Sequence, residues 1–134
     1  MRVQKTFVQG LVLMAFLWVT QSFAAAVGST QTASAGGVAV KATYLAQTEH
    51  ESRFTIALDT HSVNLDAYDL KALSILRDDT GLVLQPTGIE NKGGGHHREV
   101  VLTFPRPSTR RQWLELVIKD VAGEKERTFR WFNN

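Results

Sequence analysis

The chain has 134 residues, with 15 Lys and Arg against 13 Asp and Glu, four His, two Met and no Cys. That length is one domain's worth of chain. The absent cysteine excludes a disulfide framework, a thiolate nucleophile, a lipidated cysteine and a blue-copper centre, which needs a Cys ligand. Stability therefore has to come from an ordinary apolar core.

The first stretch does not belong to that core. Arg2 and Lys5 precede an apolar run from Leu11 to Val19, and small residues follow in Ser22-Phe23-Ala24-Ala25-Ala26. A basic head, a short apolar middle and an A-x-A-like end read as a secretory signal peptide over residues 1–26. The run is too short to cross a ~30 Å hydrocarbon core comfortably. The expectation is a periplasmic or secreted protein without a stable membrane span after cleavage.

Losing Arg2 and Lys5 leaves thirteen basic against thirteen acidic side chains. A nucleic-acid binder would carry a concentrated basic excess, whereas Arg106, Arg110 and Arg111 by themselves read as a solvated loop. The expected partner is an envelope or extracellular one, not nucleic acid. Residues 27–37 are small and polar and read as a disordered lead-in. Residues 38–134 read as the folded domain, long enough to bury about two thirds of its chain surface.

From Val38 the pattern has period two. Val38, Val40, Ala42 and Tyr44 alternate with Ala39, Lys41, Thr43 and Leu45, which predicts a strand. After the polar turn Glu49-His50-Glu51-Ser52, Phe54, Ile56 and Leu58 alternate with Arg53, Thr55, Ala57 and Asp59 in a second. Asn64 to Lys71 reads as a crossover with one helical turn. Leu73, Ile75 and Arg77 set against Ser74 and Leu76 predict a short third strand. Asp78-Asp79-Thr80-Gly81 is turn chemistry, and Leu82 to Gln85 is the return strand, stopped by Pro86. Glu99 to Phe104 is a fifth strand, Trp113 to Ile118 a sixth, and Thr128 to Phe132 a seventh.

About seven such strands without long helical periodicity predict an all-β, antiparallel, immunoglobulin-like β-sandwich, with a small closed barrel as the alternative. The predicted core is Phe54, Ile56, Leu58, Leu73, Ile75, Val100, Leu102, Phe104, Leu114, Leu116, Ile118 and Phe129. Truncating one such side chain to Ala costs on the order of 2–5 kcal/mol.

In an up-and-down arrangement, the connections after the second, fourth and sixth predicted strands share one end. Those connections carry Asp59-Thr60-His61-Ser62, Gly93-Gly94-Gly95-His96-His97-Arg98, and Val121 to Glu126. His61, His96 and His97 would thus gather at one pole with Asp59, Asp120, Glu124 and Glu126. Imidazoles and carboxylates together suit Cu, Zn or Ni ions, and Asp59, two residues before His61 on the same strand face, would orient that imidazole through a hydrogen bond. Neighbours in a strand face opposite sides, so His96 and His97 reach one ion only if the glycines loosen the backbone. The competing structural reading has one histidine packed on the sheet or capping a loop while the other is solvated. Asp59 and His61 equally suit a hydrogen-bonded strand ending. Ser62 beside His61 lacks any nucleophile elbow or oxyanion motif, so no catalytic residue is assigned.

Several segments together resemble an uncharacterised family of short exported bacterial proteins. They are Ala57 to Leu65, Leu76-Arg77-Asp78-Asp79 with Gly81, Gly94 to Arg98, Phe104-Pro105, and Glu126 to Trp131. The resemblance spans about 38–131 and implies a compact secreted β domain. It carries over no catalytic or ligand residue. The function expected from the residues is a non-enzymatic binding or interaction module. The alternative is a periplasmic transition-metal binder using the histidine cluster.

Overall fold

The computed structural model describes residues 27–133. The predicted signal peptide over 1–26 lies outside the described residues. Within them, the element order is β1 (Thr30–Ala35), β2 (Val38–Gln47), β3 (Glu51–Thr60), a 3-10 turn (Leu65–Ala67), α1 (Leu70–Leu73), β4 (Ser74–Asp78), β5 (Val83–Leu84), β6 (Gly88–Asn91), β7 (His97–Pro105), β8 (Trp113–Val121) and β9 (Glu124–Phe132). The strands form two antiparallel sheets, ordered β1-β2-β3-β7-β6 and β5-β4-β8-β9. The expected all-β, antiparallel character is what the chain adopts.

Period-two burial explains why these segments are strands. Alternate residues of β2 (Val38, Val40, Ala42, Tyr44) and of β3 (Phe54, Ile56, Leu58) are buried, and their neighbours face out. The inward faces meet in one apolar cluster that also holds Leu102, Phe104, Leu114, Leu116 and Phe129. Aromatic rings join the two layers. Tyr44 stacks on Phe54 at 4.7 Å, Phe104 meets Phe54 edge-on at 5.8 Å, and Trp131 of the second sheet lies 5.2 Å from Phe54.

The two sides of the layered structure are closed in different ways. On one side the chain passes between sheets, from β5 through Pro86 into β6. On the other side, the edge strands β1 and β9 are bridged by side chains. The Gln31 amide donates to the Arg130 carbonyl (2.5 Å) and accepts from the Arg130 N–H (3.1 Å), as a neighbouring peptide would. The Trp131 indole donates to the Ser29 carbonyl (3.3 Å), and Arg127 donates to the Ala35 carbonyl (2.7 Å). These bridges occupy edge groups that would otherwise be free to pair with another chain.

Three expectations are corrected. Residues 27–37 are not a disordered lead-in, because Thr30–Ala35 is a strand paired residue for residue with β2. Its alternating threonines and the Gly36-Gly37 turn are the physical reason. The segment between Pro86 and the glycine run contains β6, which pairs with β7. In β4 the faces are exchanged relative to the prediction: Leu76 enters the core, while Ile75 is buried outside the cluster and Leu73 packs only at its margin. A one-residue slip reverses every side chain of a strand. Here α1 ends at Leu73 and its Leu70 supplies the buried position, which sets the phase of β4.

Two predictions follow from this wiring. Gln31→Ala removes two hydrogen bonds across the β1/β9 seam and should lower unfolding stability by about 1–2 kcal/mol, measured by urea denaturation. In the turn between β4 and β5, Asp79 accepts from the N–H groups of Gln112 (2.7 Å) and Trp113 (3.2 Å). Desolvation pushes its carboxyl up, but those two N–H groups and the Arg111 charge outweigh it and hold it below the ordinary 3.8. A depressed carboxyl contributes stability that is full above the unfolded value and lost as pH falls through the folded one. Asp79→Asn should therefore flatten the stability profile below about pH 4, as read by denaturation at a series of acid pH values.

Candidate functional site

One pole is built by two tight hairpins pressed together. β1 and β2 are joined by Gly36-Gly37 (φ 60° and 75°), and β8 and β9 by Ala122-Gly123 (φ 53° and 76°). Two left-handed residues in a two-residue loop make the turn whose twist suits a hairpin. A Cβ on Gly36 would stand 2.2 Å from the Ala122 carbonyl oxygen, so the two turns touch backbone to backbone. Thr60 ties in the remaining loops. Its hydroxyl donates to the Gly37 carbonyl (2.8 Å) and accepts from the N–H groups of Ser62 (3.2 Å) and Val63 (3.3 Å). Its own N–H donates to the His96 carbonyl (3.0 Å).

The predicted common pole is thus real: the ends of β3, β7, β8 and the glycine run do meet. The insertion of β6 does not upset the alternation. β5 runs antiparallel to β4, β6 runs antiparallel to β7, and both head toward the same end.

The glycine run itself has a structural job. Asp66 accepts the Gly95 N–H with both carboxylate oxygens (3.2 Å each). A Cβ on Gly94 would stand 3.1 Å from Asp66 Oδ1, and one on Gly93 would stand 3.1 Å from the His97 carbonyl. The loop therefore wraps a carboxylate of its own chain. Arg98 secures the same crossover by donating to the carbonyls of Leu65 (2.7 Å) and Tyr68 (2.6 Å). The Tyr68 hydroxyl accepts from the Ala122 N–H (3.1 Å), which closes the ring of contacts around the pole.

Beside that pole, on the outward face of the five-stranded sheet, lies an open groove of about 480 Å³. Register places Ser34, Ala39, Asp59 and His97 directly opposite one another across β1, β2, β3 and β7. Two small residues beside an acid and an imidazole leave a depression with a polar wall, and Gly37, Thr60 and His61 line its end. Asp59 Oδ1 lies 2.5 Å from His97 Nδ1. Both side chains stay open to solvent, 45% exposed for Asp59 and 75% for His97. With Nδ1 engaged by the carboxylate, Nε2 is the His97 ring nitrogen left for another partner.

The structure separates the predicted histidines. His61 and His97 line the same groove, and the hydrogen bond of Asp59 goes to His97 across the strand pair and not to His61, the partner that the i, i+2 spacing predicts. His96 is exposed, offers its backbone carbonyl to Thr60 and does not line the groove. Among the described residues no three His, Cys, Asp or Glu side chains come together as a metal cage would require. His96 sits in the turn before β7, away from the groove that His61 and His97 line, so the three-histidine ligand set does not assemble among the described residues. The predicted carboxylates Asp120, Glu124 and Glu126 sit on the β8–β9 hairpin and do not line the groove.

Sequence reasoning misses Ser34 and Ala39, which shape the groove. Ser34 lies on β1, which has little apolar contrast, and Ala39 lies on the outward phase of the predicted first strand with no side-chain chemistry to mark it. Trp131 is in the core, and Trp113 is half-buried with the Arg130 guanidinium 4.2 Å above its ring.

Compared with protein-family models, curated proteins and solved structures, the chain matches none. The backbone contact between the two hairpins gives a direct test of the pole. Gly36→Ala forces a side chain against Ala122 in a left-handed conformation, and should cost about 1–3 kcal/mol in thermal or urea unfolding.

Proposed function

We propose that the protein is an exported, non-enzymatic binding module of immunoglobulin-like topology, whose ligand seats in the groove at Asp59, His61 and His97. Strand order supports the topology. Leaving β1 aside, β2-β3-β7-β6 facing β5-β4-β8-β9 corresponds to the A-B-E-D and C′-C-F-G sheets of that fold. The N-terminal sequence supports export, and an envelope or extracellular partner accords with it.

The observation that carries the functional reading is the Asp59–His97 pair, held across two paired strands and open to solvent at the wall of a groove. A hydrogen-bonded imidazole fixed by a carboxylate presents one defined donor or acceptor. The groove's volume falls in the range of small-ligand sites. Asp59 and His97 sit on paired strands, so they are positioned before a ligand arrives. Nothing in the sequence supplies a nucleophile elbow or an oxyanion motif beside them, and the reading is accordingly recognition, not turnover.

A nuclear magnetic resonance fragment screen tests this. Hits should shift the amides of Ser34, Ala39, Asp59 and His97, and Ala39→Phe, which fills the depression from an outward position, should weaken them at least about tenfold. Shifts that cluster elsewhere, or survive Ala39→Phe, would overturn the assignment of the groove. Turnover of any substrate that vanishes with His61→Ala or His97→Ala would overturn the non-enzymatic reading.

A further inference from the structure

We infer that the outward face of the four-stranded sheet is a second docking surface, which takes an extended acidic segment of a partner protein. Arg77 and Arg130 receive its carboxylates, and Trp113 and Phe132 receive its apolar side chains. This face belongs to the other sheet from the groove and does not depend on what the groove binds.

Register lays the surface out. Arg77, Glu115 and Arg130 stand side by side on β4, β8 and β9, with Val83 of β5 opposite Arg77. Their phase is opposite to that of Leu76, Leu114 and Phe129, which enter the core. Trp113 and Phe132 face one another in the next outward row.

The centre of the face is an ordered set of charges. The Glu115 side chain is only 4% exposed, although its phase is outward. Arg77 donates from Nε to Oε1 (2.6 Å) and Arg130 from Nε to Oε2 (2.8 Å), and the Nη2 of each approaches the same oxygen equally closely. The Nη1 of each arginine has no partner among the described residues. The Trp113 ring holds Arg130 from below, with its centroid 4.2 Å from the guanidinium carbon. Two guanidiniums on one carboxylate leave the row a surplus positive charge. Glu126 stands 3.9 Å from Arg77 but faces Lys119 in the register. Arginines ordered beforehand lose less freedom when a partner's carboxylate arrives, and Arg and Trp carry much of the energy at interfaces.

Apolar anchors flank those charges. Val83 and Phe132, each 56% exposed, are the most exposed large hydrophobic side chains among the described residues. Residues two apart on a strand share a face and lie roughly 6.8 Å apart. Arg130 and Phe132 have that spacing on β9. An extended segment reading acid, any residue, apolar, laid along β9, therefore sets its carboxylate on Arg130 and its apolar side chain on Phe132 and Trp113. A second copy of this chain fits less well, since two such faces would bring guanidiniums toward guanidiniums, and like charges in apposition are disfavoured.

The test titrates the full chain with a capped synthetic peptide that repeats Glu-Ser-Phe-Ser, followed by calorimetry and amide chemical shifts. The expected result is saturable binding that shifts the amides of Glu115, Arg130 and Phe132 and weakens with added salt. Phe132→Ser and Arg130→Gln should each weaken it at least about tenfold, and a peptide with Lys in place of Glu should not bind. Ala39→Phe, which fills the groove, should leave it unchanged. Arg130→Gln takes a partner from the buried Glu115 and lowers stability, whereas Phe132 is exposed and Phe132→Ser keeps the core intact. Far-ultraviolet dichroism checks both.

Failure of the peptide to bind, shifts confined to other residues, or unchanged affinity in Phe132→Ser would overturn the inference. Equal binding of a Glu-Ser repeat that lacks Phe would overturn it too, by marking a charged surface only. A concentration-dependent dimer abolished by Phe132→Ser would instead give the face to a second copy, and the acidic partner falls.

Discussion

Trp131 is where the two sheets are fixed on one another, and the pole inherits its geometry from that junction. The ring projects from β9 against Tyr44 of β2 (5.9 Å) and Phe54 of β3 (5.2 Å), and its indole N–H reaches the Ser29 carbonyl just before β1. One side chain thus touches two strands of the facing sheet and the approach to a third. Two sheets in apolar contact could slide over one another at little energetic cost if only burial held them, because the hydrophobic term is non-directional. A tilted aromatic cluster with a directed hydrogen bond removes that freedom. The hairpin turns at Gly36-Gly37 and Ala122-Gly123 then arrive in contact, and Thr60 can bridge the loops that surround them.

The same closure places a charge in a costly position. Arg127 is buried and donates to the carbonyls of Val121 and Ala35, and its Nε has no hydrogen-bond partner among the described residues. Desolvation pushes its guanidinium below the usual arginine range, with Glu124 and Tyr68 acting against that shift. A guanidinium keeps its charge at ordinary pH, so the cost appears as stability and not as deprotonation. What it achieves is directional. A fork of donors satisfies a carbonyl on each sheet, Ala35 at the end of β1 and Val121 at the end of β8, at the level of the two touching turns. A hydrophobic residue of similar size would fill the space and leave both carbonyls without that donor.

How much of this is legible in the chain depends on which force sets each feature. Alternation of Val38-Val40-Ala42-Tyr44 and Phe54-Ile56-Leu58 reports burial of one face directly, so β2, β3, β7, β8 and β9 can be read from the sequence. The meeting of His61 and His97 is legible too, since antiparallel strands must alternate between ends. β1 is harder because Thr30-Gln31-Thr32-Ala33-Ser34 has little apolar contrast. Its strand is set by pairing with β2 and by the Gln31 amide on Arg130, both long-range. β6 is only Gly-Ile-Glu-Asn, short and half-exposed, and carries no periodic signal of its own. The phase of β4 is decided by where α1 ends, a boundary that alternation alone does not show. Glycines 93–95 draw attention as a ligand loop, whereas Asp66, a carboxylate 29 residues away in the chain, already fills that loop.

The placement of the groove separates recognition from folding. Ser34, Ala39, Asp59 and His97 all lie on the outward phase of their strands, and the residues before and after Ala39 and Asp59 are buried. Strand periodicity therefore lets the outward set change without altering the buried one. The exceptions are the residues that belong to both sets. Thr60 is buried and yet lines the groove's end, and Gly37 accepts its hydroxyl while forming the turn. A change at Asp59 or His97 alters what the groove offers a ligand. A change at Thr60 alters where the groove is, because the loops that carry His61 and His97 are both hydrogen-bonded through it.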